Sequence, residues 1–301
     1  MTEFGKITYY SEISQMMFGF GDSHSPNPDT VRLVESILLD QLRTLVQEAL
    51  KYSDGKNLGG EELVFLMRHS KQKMRRFVIY LRNRHNKALL QQPAGATDKQ
   101  LLDKPVGELM EFIERIDETG EFTDLEEIDE VKFERQLRAD RISLALDEKR
   151  YLEFCKARCR SFTSNHTIQR SLEKLRVWVD PKKEINFRRE ALDVLAYYAY
   201  QTVAEIVDYA LLVRMDTKTG ANPFDHLPGM YYTATMFNGK HQFQEENPDY
   251  SKVHSSQPQI TVNEVKEVMR RIHTPQAGKL NFGGPLPETH YYLLSNPKYF
   301  N

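Results

Sequence analysis

The sequence predicts an all-α protein made of two similar halves. Three observations carry that expectation. Residues 187–215 form one long amphipathic stretch without Gly or Pro, residues 30–52 form a second long amphipathic stretch, and the short segments that follow the two align without gaps.

The stretch 187–215 reads FRREALDVLAYYAYQTVAEIVDYALLVRM. Its apolar positions are Leu192, Leu195, Ala199, Val203 (with Thr202), Ile206, Ala210 and Val213. Steps of three and four residues mark a single helix with a continuous buried seam. At about 1.5 Å per residue it spans on the order of 40 Å, too long for one short neighbour to cover. Charges at Glu190, Asp193, Glu205, Asp208 and Arg214 make it amphipathic and exclude a membrane span.

Taken in order, EISQMMF (12–18) reads as a short apolar helix stopped by Gly19 and Gly21. Pro26 and Pro28 keep the next loop out of a helix, and Asp29 is the expected N-cap of helix 30–52. The seam of that helix is Val31, Val34, Leu38, Leu42 (with Leu45) and Ala49. A short helix at 58–69 and a basic helix at 71–90 complete an N-terminal unit at 6–90. Residues 91–137 open on QQPAGATD and then crowd Glu and Asp together, which predicts an acidic, largely disordered linker. A weak apolar seam at Leu109, Phe112, Ile113 and Ile116 runs inside it. The second unit, 138–275, holds the long helix, an irregular insertion at 216–258 and a last short helix. A Pro- and Gly-rich tail fills 276–301.

The two last helices, LGGEELVFLMRH and ITVNEVKEVMRR, each begin with an apolar residue (Leu58, Ile260). Each carries an acid three positions after the cap (Glu62, Glu264) and ends in a cation (Arg68, Arg270). Acid at the start and cation at the end suit the helix macrodipole. Thr261 and Glu264 form a Thr-x-x-Glu capping box. Short, long and short helices repeated twice are the histone-fold pattern. A lone histone fold leaves its long helix half covered, so helix 30–52 is the expected intramolecular partner of helix 187–215.

The motifs SEISQMMFGFGD, TVRLVESILLDQL, EELVFLMRHSKQKMRRF, YLEFCKARCRSFT and ALDVLAYYAY resemble the suppressor of Ty three family. These are the double-histone-fold subunits of the SAGA transcription coactivator. The resemblance implies a nuclear, non-enzymatic scaffold that contacts other SAGA histone-fold subunits. It also implies binding to TATA-binding protein and help in delivering it to RNA polymerase II promoters.

Composition narrows the rest. A formal net charge of -2 excludes a uniformly basic nucleic-acid binder, although local patches stay open. The N-terminus has no signal-peptide run and no stretch is long and apolar enough for a membrane. Two cysteines imply no disulfide framework, and a reducing intracellular compartment is the expectation. The spacing of Cys155, Cys159, His166 and His24 fits no common zinc pattern, and no cofactor or catalytic constellation is expected. Glu205 and Asp208, three apart and off the seam, are candidate contacts for TATA-binding protein, with Tyr231 and Tyr232 of the insertion as rivals. The stripe Arg75, Arg76, Arg82 and Arg84 has three readings: contact with DNA phosphates, a solvated helix face, or docking of the chain's own acidic segment.

Overall fold

The structure, a computed structural model, describes residues 7–53, 55–90, 104–124, 128–163, 168–217 and 258–273. The first half runs α1 (Tyr10–Phe20), α2 (Pro28–Ala49), β1 (Asn57–Leu58), α3 (Gly60–Met67) and α4 (Lys71–Leu90). Three helices follow, α5 (Lys104–Ile116), α6 (Glu130–Ala145) and α7 (Glu148–Arg158). The second half runs α8 (Ile168–Val179), β2 (Asn186–Phe187), α9 (Arg189–Thr217) and α10 (Val262–His273).

Each half therefore has the short–long–short plan: α1, α2 and α3, then α8, α9 and α10. The two long helices pack on each other, and both short helices of each half reach across to the other half's long helix. The seam residues Val31, Val34, Leu38 and Leu42 of α2 join Leu195, Ala199, Val203 and Ile206 of α9 in one core, all fully buried. The chain thus folds as an intramolecular histone-fold pair.

Backbone and cap contacts seal both ends of the clasp. At one end β1 pairs in parallel with β2, and the Arg188 N–H donates to the Leu58 carbonyl at 2.9 Å. At the other end the Ile260 N–H donates to Asp22 at 2.8 Å, and the Thr30 hydroxyl donates to the Ile260 carbonyl at 2.8 Å. Leu58 and Ile260, aligned in the repeat, are both fully buried. The acids that follow them act alike: Glu62 accepts from the Gly59 N–H at 3.0 Å and Glu264 from the Thr261 N–H at 2.7 Å.

Several local expectations are corrected. Helix α2 starts two residues earlier than expected, at Pro28, because Asn27 is its N-cap and accepts from the Asp29 and Thr30 N–H groups. Proline at the first helical position loses no bond, since that N–H has no intrahelical acceptor. Helix α1 runs through Gly19 and ends at Gly21, which takes the left-handed conformation at φ 117°. Gly19 is small because α7 comes close: a Cβ there would lie 3.0 Å from the backbone of Ala157. The segment 91–137 is the largest correction. Residues 91–103 and 125–127 lie outside the described residues, but α5 packs Val106, Leu109 and Ile113 into the core against α3, α4 and α9. The apolar seam inside the acidic tract outweighs the charge around it once a hydrophobic wall is available. Helix α6 begins inside the same tract, at Glu130, and buries Ala139 and Ile142 with Phe154 of α7 against Phe18 of α1. The insertion 216–258 is described only up to residue 217 and at residue 258, and the tail lies outside the described residues.

Because the halves share a core, they should unfold together. Leu195→Asp combined with Ile206→Asp should abolish both halves in one step. The milder Leu38→Ala on α2 should cost about 2–5 kcal/mol. Its urea midpoint should be the same by fluorescence of Trp178, in the other half, as by far-ultraviolet circular dichroism. Separate midpoints would contradict a shared core.

Candidate functional site

The candidate contact residues among the described residues converge on α4 and the polar side of α9, where α6 joins them. Helix α4 turns Met74, Phe77, Val78 and Leu81 inward, where Phe77 meets the Tyr197 ring of α9 at 5.0 Å. Its cations then project toward acids that the fold brings in from three directions. Arg75, only 7% exposed, donates to the Asp124 carbonyl at 2.6 Å, and its guanidinium lies 3.1 Å from that residue's carboxylate. Arg76 holds Asp129 in a two-pronged pair, with one bond at 2.7 Å. Lys71 lies 3.8 Å from Glu121. Arg84 donates to Asp193 of α9 at 2.9 Å and to the Tyr80 hydroxyl at 3.4 Å. Within the stripe singled out from sequence, Arg82 is the member left exposed to solvent.

The two acids of α9 are also engaged. Glu205 is 8% exposed and faces the Lys73 ammonium at 3.4 Å. Asp208 sits between Arg135 and Arg138 of α6 and bonds both guanidinium groups. Neither is the free surface acid that its position off the seam predicted. A helix-wheel argument sees only the helix, whereas α4 and α6 cover this side of it. Tyr231 and Tyr232 lie outside the described residues. Tyr197 and Tyr198 are core residues, and the Tyr198 hydroxyl donates to the Leu63 carbonyl at 2.7 Å.

Sequence reasoning missed Asp129 and Asp193 as the partners that organise this side. The signal was present as a basic helix without acids followed by a tract crowded with acids, but partner identity depends on distance in space. Burial pushes the Asp129 carboxyl up, yet the hydrogen bond and charge of Arg76 outweigh it and hold it below the usual carboxylate range. Burial lowers the Arg76 guanidinium, and the Asp129 hydrogen bond and charge raise it further than that. Elsewhere, His24 pairs with Glu153 at 3.1 Å and Cys159 is exposed, while His166 lies outside the described residues. Among the described residues no group of three His, Cys, Asp or Glu side chains is clustered for a metal ion.

What the fold and these contacts define is a double histone-fold protein in which the acids of α9 and most of the cations facing them on α4 and α6 are paired within the chain. Residues 7–94 match the family model for the 18 kDa subunit of transcription initiation factor IID. Over 91% of its length the chain is 29% identical to the SAGA complex subunit Spt3 of Drosophila melanogaster, covering 70% of that protein. It is 25% identical to the SAGA complex subunit Spt3 of Schizosaccharomyces pombe over 98% of this chain and 100% of that one. A third of the chain is 26% identical to transcription initiation factor TFIID subunit 13 of Arabidopsis thaliana, over 79% of that protein. The chain is a double histone-fold protein similar along nearly its whole length to the Spt3 proteins.

Two outcomes test the internal pairs. Because the folded pKa of Asp129 lies below its unfolded value of about 3.9, its pair is fully stabilising above that pH and is lost as pH falls through the lower, folded value. Asp129→Asn should therefore cost on the order of 1–3 kcal/mol near neutrality. Denaturation across pH should show the gap between variant and parent closing below about pH 4. Asp208→Lys sets three cations together and should cost about 2–4 kcal/mol. Hydrogen exchange should show α6 losing protection first.

Proposed function

We propose that this chain is a non-enzymatic subunit of a SAGA-type transcription coactivator in the nucleus. In this role it scaffolds a histone-fold core and binds TATA-binding protein. The observation that carries the proposal is the intramolecular histone-fold pair in a chain similar along nearly its whole length to proteins named as SAGA subunits. A pair made within one chain needs no second subunit to complete its core. Its outer faces are therefore free to meet other histone-fold subunits and the promoter machinery.

The contact for TATA-binding protein is better sought away from Glu205 and Asp208, whose carboxylates already answer Lys73, Arg135 and Arg138. Tyr231 and Tyr232 in the insertion remain the candidates from the sequence. The alternative of a DNA-binding stripe loses support, since Arg75, Arg76 and Arg84 are paired with acids of the same chain.

Purification of the tagged chain from nuclear extract should bring down coactivator subunits, and purified TATA-binding protein should bind the isolated full chain directly. Recovery of neither would sink the proposal. Replacing Tyr231 and Tyr232 with Ala should weaken the direct binding with no change in melting. For DNA, eight free cations between 68 and 87 would give a log–log salt slope near -7, whereas the exposed Arg82 and Lys87 give about -2. A steep slope on promoter-length duplex would restore the DNA reading.

A further inference from the structure

A cleft of about 610 Å³ opens between α4, α6, the end of α7 and the first half of α9. Part of its lining is apolar, from Phe20, Ile79, Ala139, Ala196 and Tyr200. The charged part is one-sided. Arg76, Arg84, Lys87, Lys132 and Arg135 line it, Arg158 and Arg160 join them from the end of α7, and Asp193 is the one carboxylate among these lining residues.

Most of these cations already have partners. Arg76 holds Asp129, Arg84 holds Asp193, Arg135 holds Asp208, and Arg158 donates to the Gln136 side chain at 3.2 Å. Three donors are left over. The exposed ammonium groups of Lys87 and Lys132 have no partner among the described residues, and the Nη2 of Arg135 is buried without an acceptor. The two lysine ammonium groups are open to an incoming carboxylate, and the buried Arg135 guanidinium adds positive potential behind them.

We propose that this cleft binds a short acidic peptide segment of a partner protein. One aliphatic or aromatic side chain lies against the apolar lining, and two or three carboxylates meet the open cations led by Lys87 and Lys132. The volume is in the range of pockets that enclose a few side chains. The surplus of positive charge selects acids, while the apolar lining rewards an anchor that a purely ionic ligand lacks. A nucleic acid fits less well. Its backbone needs a longer run of free cations. Its bases need open aromatic faces, yet Tyr80 packs on Tyr197 at 4.8 Å and Phe20 on Tyr200 at 5.1 Å. The inference goes beyond the binding of TATA-binding protein and stands without it.

The test is fluorescence anisotropy with the full chain and a labelled peptide of about 15 residues in which Asp and Glu alternate with Phe and Leu. Saturable binding on the order of 10 µM is expected. Lys87→Glu combined with Lys132→Glu should weaken it about tenfold or more without moving the melting temperature, because both ammonium groups are exposed and unpaired. If charge reversal lowers stability, Lys87→Gln with Lys132→Gln should give the same order of affinities. A peptide with its carboxylates as amides, and one with its Phe and Leu as Ser, should each bind at least about tenfold more weakly. Absence of saturable binding, or indifference to both lysine variants, would overturn the proposal. So would equal binding of the Ser peptide, or tighter binding of a single-stranded oligonucleotide of the same charge.

Discussion

The structure depends on burying α9. Over residues 191–199 every side chain is buried, so this stretch of the helix has no solvent face, whereas Tyr209 and Leu212 further along are partly exposed. A helix buried all round needs neighbours on several sides, and its own half supplies only α8 and α10. Helices α1, α2 and α3 of the other half complete the cover, while α5 adds its apolar seam. Hydrophobic burial therefore makes the two histone folds one cooperative object. The parallel β1–β2 bridge and the Asp22–Ile260–Thr30 contacts set the register in which the long helices clasp.

Charge finishes what burial begins. The polar side of α9 carries Asp193, Glu205 and Asp208, each reached by a cation from α4 or α6. Pairs of this kind contribute little when exposed. Where one partner is partly desolvated, as Arg76 and Asp129 are, removing one member leaves the other poorly solvated, so the pairs specify where α6 docks. The consequence for function is subtractive. Side chains that look like interaction residues by type are unavailable to a partner because the fold already uses them. What stays open is the cleft beside them, where cations outnumber acids.

A histone-fold pair built from one chain differs physically from a pair built from two. Its halves are joined covalently, so association does not depend on the concentration of a second subunit. The joining segment is more than a tether. Its α5 packs an apolar seam beside α4, and its Asp124 and Asp129 pair with Arg75 and Arg76 of the basic helix.

Long-helix existence, the repeat and the Thr261–Glu264 capping box were legible in the sequence, because periodicity and capping are local and each residue reports on neighbours three or four positions away. The pairing of residues 30–52 with the long helix was legible as well, since two complementary seams needed each other. The sites were less so. Glu205 and Asp208 read as free acids, and docking of the acidic segment was one reading of the stripe but without the partners of Arg75, Arg76 and Arg84, since a wheel drawn from one helix cannot show what lies across it. The acidic tract read as linker because its charge density outweighed the weak seam visible at Leu109 and Ile113, which with Val106 becomes stable only against an existing wall. By itself, then, the sequence determined two histone folds and their clasp, which follow from hydrophobic spacing along the chain. Only the tertiary structure decided which charges are internal and which remain available. That outcome depends on distances between residues far apart in sequence, such as Arg84 and Asp193.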